Sequence, residues 1–386
     1  MLASIIALGP FAIDAYLPAI PDIADTFGVE AARVESSVSV FLIFFALGQL
    51  LGGPIADRRG RRALSLFGMA GFALASLLIA FCADYTQFLV LRVAQAFCGG
   101  LAIVACLSVP RDAFSGRELG RFLSTITSIM LIAPIVAPLI GSGILLALDW
   151  RWVFGMMAAH ALITLVWSWV RLDETLDPQS NPGSVRASCN RVLGDRHSLL
   201  LLVFSGLTMS VMFTFLISSS SIYQELFGVS PQVYSLLFAA NVAALLLLTR
   251  LNVFLLRRFS MRRMMGVGMT LQLVASLGLL VHSQADAPLW LFVMLVMAAV
   301  GCMGIVLPNA VSALMTLHPR DAGACNALGG LVRFVMGGAL GAVPTLFVNQ
   351  GSTPMALTMT ILAILGMGCW MLLPRDESAL AAQGQG

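Results

Sequence analysis

The 386-residue chain has no lysine, and all 22 of its basic side chains are arginine. Charged residues make up only 11% of it against 59% hydrophobic ones, which excludes a soluble domain, whose surface needs roughly a quarter of all residues charged. With a net charge of only +3, the arginine usage reads as a genome-composition bias, and no nucleic-acid partner is expected. The seven cysteines, Cys82, Cys98, Cys106, Cys189, Cys302, Cys325 and Cys369, fall mostly inside apolar runs without C-x-x-C spacing, which argues against a structural disulfide or a metal site. His160, His197, His282 and His318 are scattered. No Ser/His/Asp ordering in a loop and no G-x-x-x-x-G-K-[ST] phosphate loop is present. The pattern speaks against an enzyme and against direct ATP drive within this chain.

What the chain has in abundance is long hydrophobic runs. They predict helices over about 2–20, 35–55, 63–82, 86–109, 121–147, 152–171, 198–219, 232–256, 263–282, 287–316, 324–348 and 353–373, each near the ~20 residues that cross a bilayer. The expected fold is an all-α membrane protein of twelve transmembrane helices. Met1 leads almost directly into the first run, so no cleavable leader is expected. Asp173, Glu174, Asp177, Pro178 and Pro182 mark a linker over 172–197. The expected organisation is an N-terminal six-helix lobe over 1–171, that cytoplasmic linker, a C-terminal six-helix lobe over 198–374 and a short cytoplasmic tail over 375–386.

Arginine placement sets the expected orientation through the positive-inside rule. Arg58, Arg59, Arg61 and Arg62 follow the second run, Arg111, Arg117 and Arg121 the fourth, Arg186, Arg191 and Arg196 the sixth, Arg257, Arg258, Arg262 and Arg263 the eighth, Arg320 the tenth and Arg375 the twelfth. The odd-numbered connections carry mainly acids (Asp25, Glu30, Asp84, Glu225, Asp286), with Arg33 and Arg151 opposing. Both termini are therefore expected in the cytoplasm of a bacterium, with the chain in its inner membrane. The paired arginines also repeat: Arg58-Arg59 before Arg61-Arg62, and Arg257-Arg258 before Arg262-Arg263, an offset of 199 residues between Arg58 and Arg257. A six-span unit repeated in one orientation is the pattern of a two-lobed secondary transporter with its substrate between the halves.

The stretch Gly53-Pro54-Ile55-Ala56-Asp57-Arg58-Arg59-Gly60-Arg61-Arg62 resembles the G-x-x-x-D-R-x-G-R-R signature of the major facilitator superfamily. Here Gly53 is expected to let helices approach closely, and Asp57 to accept hydrogen bonds from a neighbouring helix N-terminus. The arginines are expected to pair with acids of the same lobe, together forming a conformational latch. Four more segments resemble the drug:proton antiporters of the Bcr/CflA type: Asp14-Ala15-Tyr16-Leu17-Pro18-Ala19-Ile20-Pro21, Arg111-Asp112-Ala113-Phe114-Ser115-Gly116, Trp150-Arg151-Trp152-Val153-Phe154, and Tyr223 to Gln232 with Tyr234 and Leu237-Phe238. The resemblance runs from about residue 2 to 373.

Asp14 is the one carboxylate the sequence puts well inside a run. An acid in a bilayer costs ~3 kcal/mol or more, so it is read as functional unless it only partners an arginine. The resemblance implies that Asp14 couples proton and substrate. Arg92, in Leu91-Arg92-Val93-Ala94-Gln95, is similar to the family's R-x-x-Q motif of proton transfer and is the expected electrostatic counterpart of Asp14. Structural pairing is the competing explanation. Ala133-Pro134-Ile135-Val136-Ala137-Pro138-Leu139-Ile140-Gly141 resembles the antiporter motif G-x-x-x-G-P-x-x-G with two glycines replaced by alanine; Ala133, Ala137, Pro138 and Gly141 are then a helix-kink motif, and a generic kinked helix is the alternative.

Candidate substrate-binding residues are Asp14, Phe11, Gln95, Asn241, Asn309 and Arg333. Arg333 stands where the resemblance leads one to expect a neutral polar residue, so it either favours negative or electron-rich substrates or pairs with an acid. Arg250 reads as snorkelling. The 23 Phe and 20 Met suit a promiscuous cavity, although most will face lipid or other helices. The resemblance implies multidrug efflux: a proton-coupled exporter of small, drug-like amphipathic molecules, phenicols and bicyclomycin-like compounds among them. It would work by alternating access as a monomer, with protons as the second partner and no cofactor beyond the proton gradient. Export of a physiological metabolite and proton-symport uptake of a nutrient are the alternatives.

Overall fold

The computed structural model describes residues 1–113, 116–174, 185–285, 287–347 and 350–374. Phe114, Ser115, Asp177, Pro178, Pro182, Asp286, Arg375 and the expected tail 375–386 lie outside the described residues, as do the side chains of Arg111, Asp112, Arg117, Arg121 and Arg186. Among the described residues there are fifteen α-helices and no strand. In chain order they are α1 (Leu2–Asp14), α2 (Ile20–Phe27), α3 (Ala31–Arg59), α4 (Arg61–Ile79), α5 (Tyr85–Ala113), α6 (Gly116–Ile144), α7 (Arg151–Arg171), α8 (Val185–Gly194), α9 (Arg196–Ser220), α10 (Pro231–Leu255), α11 (Met261–His282), α12 (Leu289–Gly301), α13 (Met303–Leu317), α14 (Ala322–Gly341) and α15 (Thr353–Leu372).

Among the described residues, eleven helices or continuous helix pairs are long and apolar enough to cross a bilayer. The fifth run corresponds to α6, whose described apolar part is Ile132–Ile144. Burial cannot explain so many apolar residues, because Phe67, Ile163, Val170, Leu247 and Trp290 lie exposed along spanning helices. Side chains of this kind are stable only against hydrocarbon.

Several runs depart from plain helices, the tenth among them, where α12 ends at Gly301 and α13 begins at Met303. The first is interrupted, with α1 ending at Asp14, a 3-10 turn over Leu17–Ala19, and α2 resuming at Ile20. Pro18 and Pro21 cannot donate the backbone hydrogen bonds that would carry the helix through. After α9, a π-helical turn covers Ser221–Leu226 before Gly228 turns the chain with a positive φ of 66°. The described end of the linker is helical despite its polar composition: α8 is held by Arg191, whose Nε and Nη2 donate to Asp321 at 2.9 and 2.6 Å, and by the buried Val192.

The chain divides into two compact units. The first comprises Met1–Asn181 with Tyr223–Ala239, and the second comprises Pro182–Ile222 with Ala240–Gly386. Residues 223–239 thus group with the first unit, although the sequence assigned them to the second lobe. Hydrogen bonds explain the grouping: Ser235 Oγ donates to the Pro138 carbonyl at 2.9 Å and Gln232 Nε2 to the Ser142 carbonyl at 3.2 Å.

In the first unit, glycine allows α3, α4 and α5 to pack closely. A Cβ on Gly48 would strike the Phe97 carbonyl, one on Gly52 would lie 2.6 Å from Val104, and one on Gly68 2.6 Å from the Ala102 amide. Such contacts are how helices gain dispersion energy where lipid removes the hydrophobic drive. An edge-to-face aromatic cluster of Phe27, Phe88, Trp150 and Phe154 closes one end, and Trp150 Nε1 donates to Thr26 Oγ1 at 3.0 Å. The second unit centres on Phe204, Met265, Met269, Val306, Ala310 and Ala363.

Candidate functional site

The break in the first run puts Asp14 at a helix end deep in the first unit. It is 4% exposed and makes no hydrogen bond or ion pair with any described residue. Two residues on, Tyr16 is fully buried and its hydroxyl meets Ser37 Oγ at 2.9 Å.

Arg92 is likewise buried, yet it is not ion-paired with Asp14. Its Nη1 donates to the Ala12 carbonyl at 3.0 Å and to Gln95 Oε1 at 2.7 Å. Its guanidinium carbon lies 4.4 Å from the ring centroids of both Tyr16 and Phe41, while Nε and Nη2 have no hydrogen-bond partner. Cation–π attraction to two rings thus does the work the sequence assigned to a carboxylate. The chain of polar contacts continues, as Gln95 Nε2 donates to Ser76 Oγ at 2.7 Å and Ser76 donates to the Phe72 carbonyl. Asp14 and Arg92 are therefore linked through the α1 backbone: the carbonyl held by Arg92 belongs to the residue two before Asp14.

The α6 motif meets the same place. A Cβ on Gly141 would be driven into the Ala15 carbonyl oxygen, so the motif's last glycine presses against the residue between Asp14 and Tyr16. Ala133 and Ala137 are buried, and Pro134 and Pro138 lie within α6. The Pro138 carbonyl is the one that accepts from Ser235. Phe11 stacks edge-on to His160, with centroids 5.6 Å apart.

In the second unit, Asn241 is buried in α10. Asn309 is buried and committed, since its Nδ2 donates to Asn252 Oδ1 at 2.8 Å and to the Ile305 carbonyl at 2.7 Å. Arg333 is half-buried in α14.

The arginine-rich turn departs from expectation in two ways. Nothing lies within 4 Å of a Cβ built on Gly53; the close approach falls to Gly48 and Gly52, which face α5. Asp57 faces Arg61 one turn on, at 3.8 Å, and the acid at a helix N-terminus is instead Glu174. Its two carboxylate oxygens accept from the Arg61 and Arg62 amides at 2.9 and 3.2 Å, and Arg62 Nη2 donates to the Trp169 carbonyl at 2.8 Å. A carboxylate there satisfies two orphan donors and complements the helix dipole. Gly60 makes room: its φ is 96°, and a Cβ would collide with the Glu174 carboxylate. Arg58 and Arg59 are exposed.

Sequence reasoning missed several of these residues. Glu35 is a second buried carboxylate, 2% exposed within α3, so Asp14 is not alone. Ser4 Oγ lies 2.8 Å from His160 Nε2 and 2.7 Å from Thr164 Oγ1. The 156-residue gap between Ser4 and His160 left no signal for that cluster. Glu174 was legible as a charge in the linker, but its partners were not. At the start of α9, burial would lift the Asp195 carboxyl, yet hydrogen bonds from the Ser198 hydroxyl and amide hold it below the usual carboxylate range.

Long apolar helices, with a buried carboxyl that has no partner among the described residues and a guanidinium caged by rings, mark a polytopic membrane protein. The chain matches the Major Facilitator Superfamily over residues 2–342 and belongs to it; it is a multi-pass membrane transporter, not an enzyme. It is 29% identical to the uncharacterised MFS-type transporter YdgK of Bacillus subtilis over 98% of this chain and 95% of that protein. It is 26% identical to a bicyclomycin resistance protein homolog of Haemophilus influenzae over 95% and 93%. To the multidrug resistance protein MdtL of Escherichia fergusonii it is 30% identical over 72% and 71%. Among solved structures, a D-xylose-proton symporter superposes with a TM-score of 0.76 at 14% identity, covering 97% of this chain and 98% of that one. The nucleoside transporter NupG gives 0.73 at 13%, covering 99% and 98%. These likenesses establish the major facilitator fold and carry no information on substrate.

Proposed function

We propose that this transporter is a proton-coupled exporter of small amphipathic, drug-like molecules, working by alternating access in a bacterial inner membrane with both termini in the cytoplasm. The observation that carries the coupling is Asp14, a buried carboxyl with no partner among the described residues. An ionised carboxylate there has no compensating charge or donor, so a proton or a substrate group that supplies one is bound strongly, and its loss is costly. Arg92 acts at one remove. By gripping the Ala12 carbonyl it fixes the end of α1 and with it the direction of the Asp14 side chain, and Gln95 and Ser76 hold Arg92 in turn. No cofactor is required, because the proton gradient supplies the drive.

Export of drug-like molecules is supported by the relatives named for bicyclomycin and multidrug resistance. The arginine alternation supports the orientation. The test is counter-flow in everted vesicles with an imposed proton gradient. Asp14→Asn keeps the volume but cannot titrate, and is expected to insert normally while losing gradient-driven export; Asp14→Glu is expected to keep part of it. An Asn variant that still moves substrate uphill at the unmutated rate would overturn Asp14 as the coupling group, and import of substrate down the proton gradient would overturn export.

A further inference from the structure

Arg333 lies inside the apolar span Pro319–Leu346 of the second unit. It makes no hydrogen bond, ion pair or ring contact with any described residue. Its guanidinium folds back over its own helix, so that a Cβ on Gly329 would lie 2.9 Å from Nη1. An arginine does not shed its proton in a protein, so this site keeps a full positive charge in every state of the transport cycle.

Among its described residues the second unit offers that charge no free acid. Up to residue 374 its sequence holds three carboxylates, Asp195, Asp286 and Asp321. Asp195 caps the start of α9 through Ser198. Asp321, at the start of α14, receives two hydrogen bonds from Arg191. Asp286 lies outside the described residues. A fixed cation within a span and without an internal partner is costly unless something else neutralises it. The neighbouring side chains on α14, Leu331, Val332, Phe334, Val335 and Met336, offer no further donor or acceptor.

We propose that Arg333 is an anion subsite that recognises the carboxylate or sulfonate of an amphipathic organic monoanion, the rest of which meets apolar surface. The planar fork of donors suits a two-oxygen anion, and the apolar surroundings disfavour polyols and inorganic phosphate, whose remaining polar atoms would go unpaired. The inference rests on the transport reading only in holding that the bound molecule is a cargo.

The test is equilibrium binding to the full chain in detergent, followed by intrinsic tryptophan fluorescence, with three probes that share a ring system: 1-naphthoate, 1-naphthamide and 1-naphthylmethylammonium. Naphthoate is expected to bind about tenfold more tightly than the amide, the size of one hydrogen bond to a charged partner, and the cation more weakly than either. Arg333→Gln is expected to bring naphthoate down to the level of the amide while leaving the amide within about twofold, and Arg333→Lys to keep part of the preference. Equal binding of naphthoate and the amide by the native chain would overturn the subsite, as would an equal loss of all three probes in Arg333→Gln. Because binding is read without a gradient, failure of export in vesicles leaves this result intact, and the two readings fail separately.

Discussion

Gly141→Ala tests the reasoning about the helix break most directly. The new methyl carbon would overlap the Ala15 carbonyl oxygen and lie 2.9 Å from the Ala15 carbonyl carbon and 3.4 Å from its Cα. These are backbone atoms, so no side-chain rotation relieves the clash. An ordinary non-bonded contact needs about 3.5 Å, and α6 must therefore move away from the Asp14–Tyr16 break by on the order of 1 Å. Overpacking of this kind costs about 1–3 kcal/mol in a packed core. The functional effect is expected to exceed the stability effect, because the displaced residues flank Asp14 and carry the ring that cages Arg92. Gradient-driven transport should fall by about tenfold or more, in line with the sensitivity of positioned groups to ångström shifts. Gly143→Ala is the control, since nothing lies within 4 Å of a Cβ there. Both variants are measured for transport in vesicles and for thermal unfolding in detergent. Unmutated transport by Gly141→Ala, or an equal loss in Gly143→Ala, would refute the idea that α6 bears on the Asp14 segment.

Two further outcomes are expected. Glu174→Gln removes the charge that caps α4 but keeps one acceptor; because the carboxylate is exposed, the loss is expected to be modest, about 0.5–1 kcal/mol, read as a small drop in thermal midpoint that high salt diminishes. Membrane-impermeant labelling of single cysteines placed at Arg58 and Arg257 is expected to reach both from the same side, and labelling from opposite sides would contradict the repeated arginine pattern.

The sequence by itself determined the membrane class, the approximate spans and the repeated arginine turns, and it singled out Asp14, Arg92 and the 53–62 turn as candidates. These rest on composition, on runs as long as a bilayer is thick and on charge placement, all of which are local along the chain. The break in the first run was also written locally, in Pro18 and Pro21. What the tertiary structure decided were the partners. Arg92 is held by Ala12, Gln95, Tyr16 and Phe41 instead of a carboxylate, the helix cap at the arginine turn is Glu174 instead of Asp57, close packing falls to Gly48 and Gly52 instead of Gly53, and Gly141 meets Ala15. Each pairing depends on which faces of distant helices meet, and in a chain where most residues are apolar the hydrophobic pattern barely distinguishes a lipid-facing side from a buried one. Residue identity marked which groups were chemically capable; only the packing of the helices assigned each of them a neighbour.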